Sequence, residues 1–260
     1  MILTADYHTH TPYSHGKNTV DENVCRAKEL GLKEIGITDH GFSHVAFGLR
    51  RKEVAAYKAE CRAAEEKYGI KVLVGIEANI RGVGGESDLR EEDYQDFDLY
   101  LCGNHACIHF SSLRDNIGYG WRNLFLNNVI RKTTKRQIAC NTKAYVNAIK
   151  NNPIDAITHL NYQCPANALE VAKCAADYGT YIELDAKKAH LTDEELVEIA
   201  QKTSARFIVN SDAHWVERIG DTALIAEQLK RIDFPMERID NIDGRLPNFR
   251  FAAFKKERGL

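Results

Sequence analysis

The sequence predicts an α/β fold in which parallel strands and helices alternate around a barrel. Short apolar or β-branched runs alternate with longer amphipathic stretches along the chain, and this pattern is typical of βα units around a parallel sheet. Seven runs of the first kind can be counted. The turn after the first run holds histidines where a dinucleotide-binding fold would need glycines. A distorted TIM-like barrel of seven βα units is therefore favoured over a doubly wound sheet.

The predicted strands are short and rich in Val, Ile, Leu, Phe and Tyr. They cover residues 2–8, 33–39, 71–77, 97–103, 155–160, 180–185 and 205–211. Capping-box patterns, a threonine followed three residues later by a glutamate, mark helix starts at Thr19 and Thr192. Further helices are predicted within residues 50–68, 121–150 and 165–178. Residues 121–150 are compatible with one long helix or with two.

Composition and charge limit the classes of function. A hydrophobic content of 44% over 260 residues is enough for one large core, so we expect a single domain over residues 1–260. The net charge of −2 makes long nucleic acid an unfavourable partner. No apolar run approaches the roughly 20 residues of a membrane span, and the first residues lack a secretory signal pattern. Seven cysteines without a CxxC pair are typical of a reducing compartment, so we expect a cytoplasmic protein.

Side chains that can bind metals recur at the C-terminal ends of the predicted strands, the sixth strand excepted. They are His8 and His10 on the first strand, His15 in the following loop, His40 after the second, Glu77 on the third, His105 after the fourth, His159 on the fifth, and Asp212 and His214 after the seventh. In a parallel barrel these ends open onto one face, where active sites lie. His44, His109 and His190 lie off this pattern, although the first two are near enough to line a substrate pocket.

The number of these side chains predicts how many ions they hold. Seven histidines with Glu77 and Asp212 make nine ligands, whereas one zinc takes three or four. Three ions fit better, with the Glu77 carboxylate bridging two of them. His8 and His10 point the same way from their strand and can bind one ion together. Imidazole and carboxylate ligands favour zinc, with manganese or iron as alternatives, over magnesium or calcium.

Six motifs in this order resemble the polymerase and histidinol phosphatase (PHP) family of metal-dependent phosphoesterases: HTHTPYSHG, ITDHG, GIEANI, GNH, ITHLN and SDAH. The resemblance covers residue 6 to about residue 249. GIEANI and DFPMERIDNI are most similar to the YcdX-type stand-alone phosphatases. The resemblance implies a distorted (βα)7 barrel with a trinuclear metal centre at the strand ends. Residues 104–151 are longer and more aromatic than this subgroup leads us to expect, which leaves the substrate preference open.

The resemblance also implies how the residues share three ions and what they do. The first ion would take His8, His10, Glu77 and Asp212, the second Glu77, His105 and His159, and the third His15, His40 and His214. Glu77, Asp212 and His214 are the expected catalytic residues. The implied reaction is hydrolysis of a small phosphorylated metabolite, a phosphate monoester, by direct attack of a hydroxide that bridges two ions. An arginine, Arg81, Arg114 or Arg122, could also grip the phosphate, although chance proximity is the simpler explanation.

Other functions stay open at this point. The same centre could act on histidinol phosphate, or on phosphodiesters in short oligonucleotides. An amidohydrolase also begins with HxH, but it usually has a lysine at the end of strand four, where this chain has CGNHAC. A non-catalytic metal-binding module is the remaining alternative. The sequence leaves open the natural substrate, the proton donor for the leaving group and the oligomeric state.

Overall fold

The computed structural model describes residues 1–130 and 132–260, and the side chains of all of these except residues 127 and 128. Seven strands form one sheet whose order follows the sequence, and every neighbouring pair is parallel. The strands are β1 (Ala5–Asp6), β2 (Glu34–Ile37), β3 (Lys71–Asn79), β4 (Leu99–Gly103), β5 (Ala156–Ile157), β6 (Tyr181–Asp185) and β7 (Phe207–Asn210). Each lies within or overlaps one of the predicted runs.

The two outer strands approach each other and nearly close the sheet. Just beyond β1 and β7, Thr9 and Ala213 form a parallel bridge. The backbone N–H of His10 donates to the carbonyl of Ala213 at 2.8 Å, and the N–H of Ala213 donates to the carbonyl of His8 at 3.1 Å. The predicted distorted (βα)7 barrel is confirmed. The closure brings the first and last predicted ligand motifs side by side.

Helices connect the strands and cover the outside of the sheet. They are α1 (Val20–Glu29), α2 (Val54–Tyr68), α3 (Leu113–Asp115), α4 (Arg122–Phe125), α5 (Lys135–Asn151), α6 (Ala168–Tyr178), α7 (Asp193–Lys202), α8 (Ala223–Arg231) and α9 (Arg250–Arg258). Both predicted capping boxes are present, because the hydroxyls of Thr19 and Thr192 accept from the third helical N–H and the glutamates there bond back. None of the helices within the described residues has the length and apolarity that crossing a bilayer would require.

Two helical stretches occupy the region that the sequence left undivided. The first, residues 113–130, alternates α3 and α4 with π-helical turns over Asn116–Trp121 and Leu126–Ile130. The second is α5. Residue 131, beside the end of the first stretch, lies outside the described residues. We call residues 113–130 the 113–130 segment. It lies after β4, so it stands at the end of the barrel that carries the predicted ligands.

The interior of the barrel is filled from the end opposite the predicted ligands. A small core inside the barrel consists of Ala5, Tyr7, Leu99, Leu101, Ala156, Tyr181 and Ile208. Phe249 covers it, with ring centroids 4.9 Å from Tyr7 and 5.8 Å from Tyr181, both edge-on. The larger core lies between the strands and the surrounding helices. Apolar packing therefore closes one end of the barrel, and the polar end is left for a site.

Candidate metal centre

The carboxylate of Glu77 lies at the centre of the predicted ligands and is fully buried. Its two oxygens face different histidines. Oε2 lies 2.8 Å from His40 Nδ1 and 3.3 Å from His8 Nε2. Oε1 lies 2.7 Å from His159 Nε2 and 3.2 Å from His105 Nε2. A carboxylate placed in this way can bridge two ions, one at each oxygen.

Asp212 completes the side of the cluster next to β1. Its Oδ1 lies 3.1 Å from His10 Nε2, 3.7 Å from His8 Nε2 and 3.3 Å from His214 Nδ1. Asp212 and His159 both have a left-handed backbone, with φ values of 44° and 30°. Such a conformation costs about 1–3 kcal/mol and persists where the surroundings impose it, which is common at functional sites.

His15 reaches the same cluster from the first loop. Its ring stacks on His40 with centroids 4.8 Å apart and lies 4.2 Å from the ring of His214. Donor atoms of His10, His40 and His214 also lie within 4.8 Å of one another. All nine predicted side chains thus converge in one continuous cluster. Their grouping differs from the predicted one, because His10 adjoins both the first and the third set and His40, predicted in the third, also lies with Glu77 and His105.

Several nitrogen and oxygen atoms of the cluster that could bind a metal are buried without a hydrogen-bond partner among the described residues. These are His8 Nε2, His10 Nδ1, His40 Nδ1, His105 Nε2, His159 Nδ1 and Glu77 Oε2. Leaving such an atom unpaired costs about 1–3 kcal/mol. Tetrahedral zinc with bonds of about 2.0–2.1 Å places its ligand atoms about 3.3–3.4 Å apart. The distances around Glu77 and Asp212 are close to this spacing, so the residues present fit metal ions.

Neighbouring groups contact Nδ1 of three of the predicted ligand histidines and fix the orientation of their rings. Nδ1 of His8 contacts Glu183 Oε1 at 2.8 Å, and Nδ1 of His105 contacts Asn79 Oδ1 at 2.8 Å. Nδ1 of His214 lies 3.0 Å from the carbonyl of Asp212 and 3.2 Å from Lys187 Nζ. At His8 and His105 the hydrogen bond at Nδ1 fixes the tautomer and leaves Nε2 for a metal. The ring orientations are thus set by the protein itself.

Residues on and after β6 form a part of the site that the sequence reasoning missed. The sixth strand was expected to supply nothing, but Glu183 contacts the predicted ligand His8, and Asp185 Oδ2 contacts His190 Nε2 at 3.1 Å. Lys187 Nζ donates to Asp212 Oδ2 at 2.7 Å. The signal was present in TYIELD, because Glu183 and Asp185 stand two residues apart and therefore face the same side of the strand.

The charges in the cluster suit metal binding. Burial alone would raise the pKa of Glu77, but the surrounding histidines hold it well below its usual range. Burial lowers the pKa of His40 to about 3 and that of His15 to about 4. His8 differs, because the carboxylates of Glu183 and Glu77 outweigh its burial and raise its pKa. An ionised carboxylate among mostly neutral imidazoles is what a divalent cation needs from its ligands.

A cavity of about 630 Å³ opens over the cluster. Predicted ligands form its floor, and Lys187, Lys188 and His190 line its wall. None of the three arginines suggested as phosphate grips lines it. The guanidinium of Arg81 donates to the carbonyls of His109 and Phe110, and the other two line a separate cavity. The lysines after β6 are therefore the cations that face this space.

Comparison with known proteins identifies the family to which this chain belongs. The model of the PHP domain matches residues 6–187. The chain belongs to the PHP domain family. The resemblance drawn from the sequence motifs is thereby confirmed.

Relatives within the PHP family match nearly the whole chain. A protein of Acetivibrio thermocellus named "Probable phosphatase" is 28% identical over 251 residues, covering 93% of this chain and 92% of the relative. A "Probable phosphatase" of Clostridium novyi is 29% identical and covers 94% of this chain and 92% of the relative. The crystal structure of histidinol phosphate phosphatase from Lactococcus lactis, complexed with zinc, L-histidinol and phosphate, is similar with a TM-score of 0.59. At 15% identity, over 90% of this chain and 95% of that one, it shows the shared fold.

Proposed function

We propose that this PHP family member is a metal-dependent phosphatase that hydrolyses small phosphate monoesters. The observation that carries the proposal is the bridging position of Glu77, each of whose oxygens faces its own pair of histidines. The predicted class of enzyme, a hydrolase of phosphate esters, agrees with the family and with the names of the relatives. We further propose that residues 1–260 act as one domain, because β7 closes against β1.

The cluster is proposed to hold three divalent ions, with zinc ahead of manganese and iron. His8, His10, Glu77 and Asp212 would form the first set, Glu77, His105 and His159 the second, and His15, His40 and His214 the third. His10 would lie at the border of the first and third. When bound, such ions neutralise the phosphoryl oxygens and ionise water near neutral pH. The neighbouring protein structure in which zinc is bound supports this choice of metal.

The lysines of the cavity wall are proposed to bind the phosphate dianion. Lys187 has 42% of its side chain exposed and already contacts Asp212, so its ammonium group lies at the edge of the cluster. Lys188 lines the same wall. As flexible point charges, lysines can follow a phosphate that enters the cavity. They draw the anion towards the cluster and orient the ester bond.

His190 is proposed to give the leaving alkoxide its proton. The carboxylate of Asp185 accepts a hydrogen bond from Nε2 of His190. Nδ1 of His190 is then left to carry the proton that is transferred. The side chain is 10% exposed in the wall of the cavity, and Tyr162 packs on it with ring centroids 5.1 Å apart. Its ring is therefore held in place for general acid catalysis.

A screen of phosphate esters with metal analysis tests the proposed function. Protein loaded with zinc, manganese or iron is assayed on phosphorylated metabolites, on a bis-aryl phosphodiester and on amides, and its metal content is measured. We expect hydrolysis of monoesters and close to three ions per chain. Glu77→Gln should lose both, whereas Glu34→Gln should lose neither, because Glu34 lies at the start of β2 and accepts from the Tyr7 hydroxyl at 2.7 Å.

Each alternative has its own outcome in this screen. Faster cleavage of the diester would indicate a phosphodiesterase, and cleavage of amides alone an amidohydrolase. Full metal occupancy with no hydrolysis would leave a metal-binding module. Direct hydrolysis without a phosphorylated side chain is proposed as well, and phosphoryl transfer to added alcohols would contradict it.

A further inference from the structure

A second, smaller cavity lies beside the metal cluster. It has a volume of about 290 Å³ and lies between the loop after β4 and the 113–130 segment. Apolar and aromatic side chains dominate its lining: Val45, Ile108, Phe110, Tyr119, Trp121 and Leu124. The volume is at the lower end of ligand pockets, which range over about 300–1,000 Å³. It is suited to a single ring with a short linker.

This cavity shares a wall with the cavity over the metal cluster. His105, Ala106 and Cys107 line both spaces. His105 also carries one of the nitrogens that face Glu77. A molecule whose phosphate lies over the cluster can therefore extend its other end into the smaller cavity by crossing only these residues.

Two polar side chains of this lining, those of Asn123 and Tyr119, already form hydrogen bonds within the protein. The amide of Asn123 exchanges hydrogen bonds of 2.8 and 2.9 Å with the amide of Asn141. The hydroxyl oxygen of Tyr119 accepts from the thiol of Cys164 at 3.4 Å. Asn104, Asn116, His109 and Gln163 also contribute to the lining, enough to orient one polar substituent. The surface offered to a ligand is thus mainly apolar.

The walls of the cavity are held in place before any ligand arrives. Residues 43–45 pair with residues 107–109 through two backbone hydrogen bonds. The N–H of Val45 donates to the carbonyl of Cys107 at 3.0 Å, and the N–H of His109 donates to the carbonyl of Ser43 at 2.8 Å. Phe110 packs edge-on to Tyr119 with ring centroids 6.1 Å apart. A β-carbon at Gly120 would lie 2.3 Å from the Phe110 ring, so the glycine is what permits this packing.

We propose that the smaller cavity is the leaving-group subsite of this enzyme. Its preferred substrates are phosphate monoesters of alcohols that carry one aromatic or similarly flat apolar ring, rather than esters of polyols. The inference rests on the proposed phosphatase function, since the phosphate must lie over the metal cluster. Apolar burial gives the preference, because a ring removed from water stabilises the complex whereas a polyol would lose hydrogen bonds to water.

Three esters with unactivated leaving groups test the preference. The metal-loaded protein is assayed on 2-phenylethyl phosphate, glycerol 3-phosphate and L-histidinol phosphate. We expect kcat/KM for the phenylethyl ester to exceed that for the glycerol ester by at least about tenfold, the discrimination that apolar pockets provide. Histidinol phosphate should fall between them, because its ring is polar. Equal values for the first two, or a clear lead for histidinol phosphate, would overturn the proposal.

Variants of the lining locate the effect. Leu124→Ala should raise KM for the phenylethyl ester about three- to tenfold and leave kcat, and both constants for glycerol phosphate, unchanged. Val45→Trp fills the cavity from a side chain that is 62% exposed, so it should fold normally and block only the aromatic ester. Phe125→Ala is the matched control, because Phe125 follows Leu124, is 53% exposed and does not line the cavity. An equal effect of all three would contradict the assignment.

Equilibrium binding separates failure of the subsite from failure of the proposed function. 2-Phenylethylphosphonate and methylphosphonate, which the enzyme cannot hydrolyse, are titrated calorimetrically into the metal-loaded protein. If no ester is hydrolysed but 2-phenylethylphosphonate binds more tightly and Leu124→Ala removes the difference, the subsite stands and the phosphatase does not. If esters are hydrolysed without preference and the two phosphonates bind equally, the phosphatase stands and the subsite does not.

Discussion

Replacing Glu183 by glutamine tests how the barrel holds His8, the first of its predicted metal ligands. Glu183 is 2% exposed and accepts three hydrogen bonds. Oε1 receives His8 Nδ1 and Asn210 Nδ2, each at 2.8 Å, and Oε2 receives the backbone N–H of His159 at 2.8 Å. Glutamine has the same shape but only one accepting oxygen. The substitution therefore changes hydrogen bonding and charge and leaves the packing intact.

The size of the effect follows from these contacts. The amide oxygen of glutamine serves the two donors at the Oε1 position best, which leaves its NH2 group facing the N–H of His159. One buried donor then lacks an acceptor, at a cost of about 1–3 kcal/mol in unfolding free energy. Loss of the carboxylate also makes the imidazole of His8 a weaker base. Changes of this kind typically reduce metal affinity about 10–100-fold.

Zinc competition gives the decisive measurement. The metal-free protein is titrated with zinc against a chromophoric chelator at pH 7, and its urea unfolding is measured in parallel. Glu34→Gln is the control, because Glu34 begins β2 at the opposite end of the barrel. We expect Glu183→Gln alone to weaken zinc binding.

A variant that is destabilised as expected but binds zinc as tightly as wild type would refute the reasoning. In that case Glu183 would stabilise the fold without orienting His8. Unchanged stability together with unchanged affinity would show that the hydrogen bonds rearrange around the amide.

Other perturbations of the site have equally definite outcomes. His10→Ala should deplete more metal per chain than His15→Ala in elemental analysis, because His10 adjoins two ligand groups and His15 one; equal losses would contradict this. The pKa values of His15 and His40, about 4 and about 3, lie below the 6.5 of the free side chain. The unfolded chain therefore takes up protons first, so these two histidines should make the metal-free protein lose stability in urea titrations as the pH falls below about 6.5. His190→Asn should lower kcat for alkyl esters about 10²- to 10⁴-fold and barely affect p-nitrophenyl phosphate, whose leaving group needs no proton. A uniform loss on both esters would exclude His190 as the proton donor.

The strand ends could be predicted from the sequence because the physics that places them is simple. Runs such as KVLVGIE are apolar on both faces, as strands of a covered parallel sheet are, and every run except the sixth ends at or just before a side chain that can bind a metal. Parallel strands in one barrel bring those ends to one face, so Glu77 and His159 meet although they lie 82 positions apart along the chain. The cluster could therefore be predicted from the number of strands that end at such side chains.

What could not be predicted depends on orientation within the cluster and on the loops. Sequence spacing shows that Glu183 faces the barrel interior, but it does not show that its oxygen meets His8 and not an ion. His10 was assigned to one ion on strand geometry, whereas ring packing with His214 at 4.3 Å also places it by another group. No sequence pattern marks the π-helical turns of the 113–130 segment. The smaller cavity, which the turn Asn116–Trp121 lines, could therefore not be predicted from the sequence either.

The loop after β4 couples the chemistry of the site to its shape. His105 faces Glu77 on one side and the smaller cavity on the other, and Cys107 next to it has a left-handed backbone with φ of 59°. Two backbone hydrogen bonds to residues 43–45 hold this conformation. Residues 104–107 are thus held by their neighbours and include the predicted ligand His105, whereas the residues of 108–124 that line the smaller cavity include no predicted ligand. Substitutions in the second stretch are therefore expected to change the leaving-group preference while the predicted ligand His105 in the first stays in place.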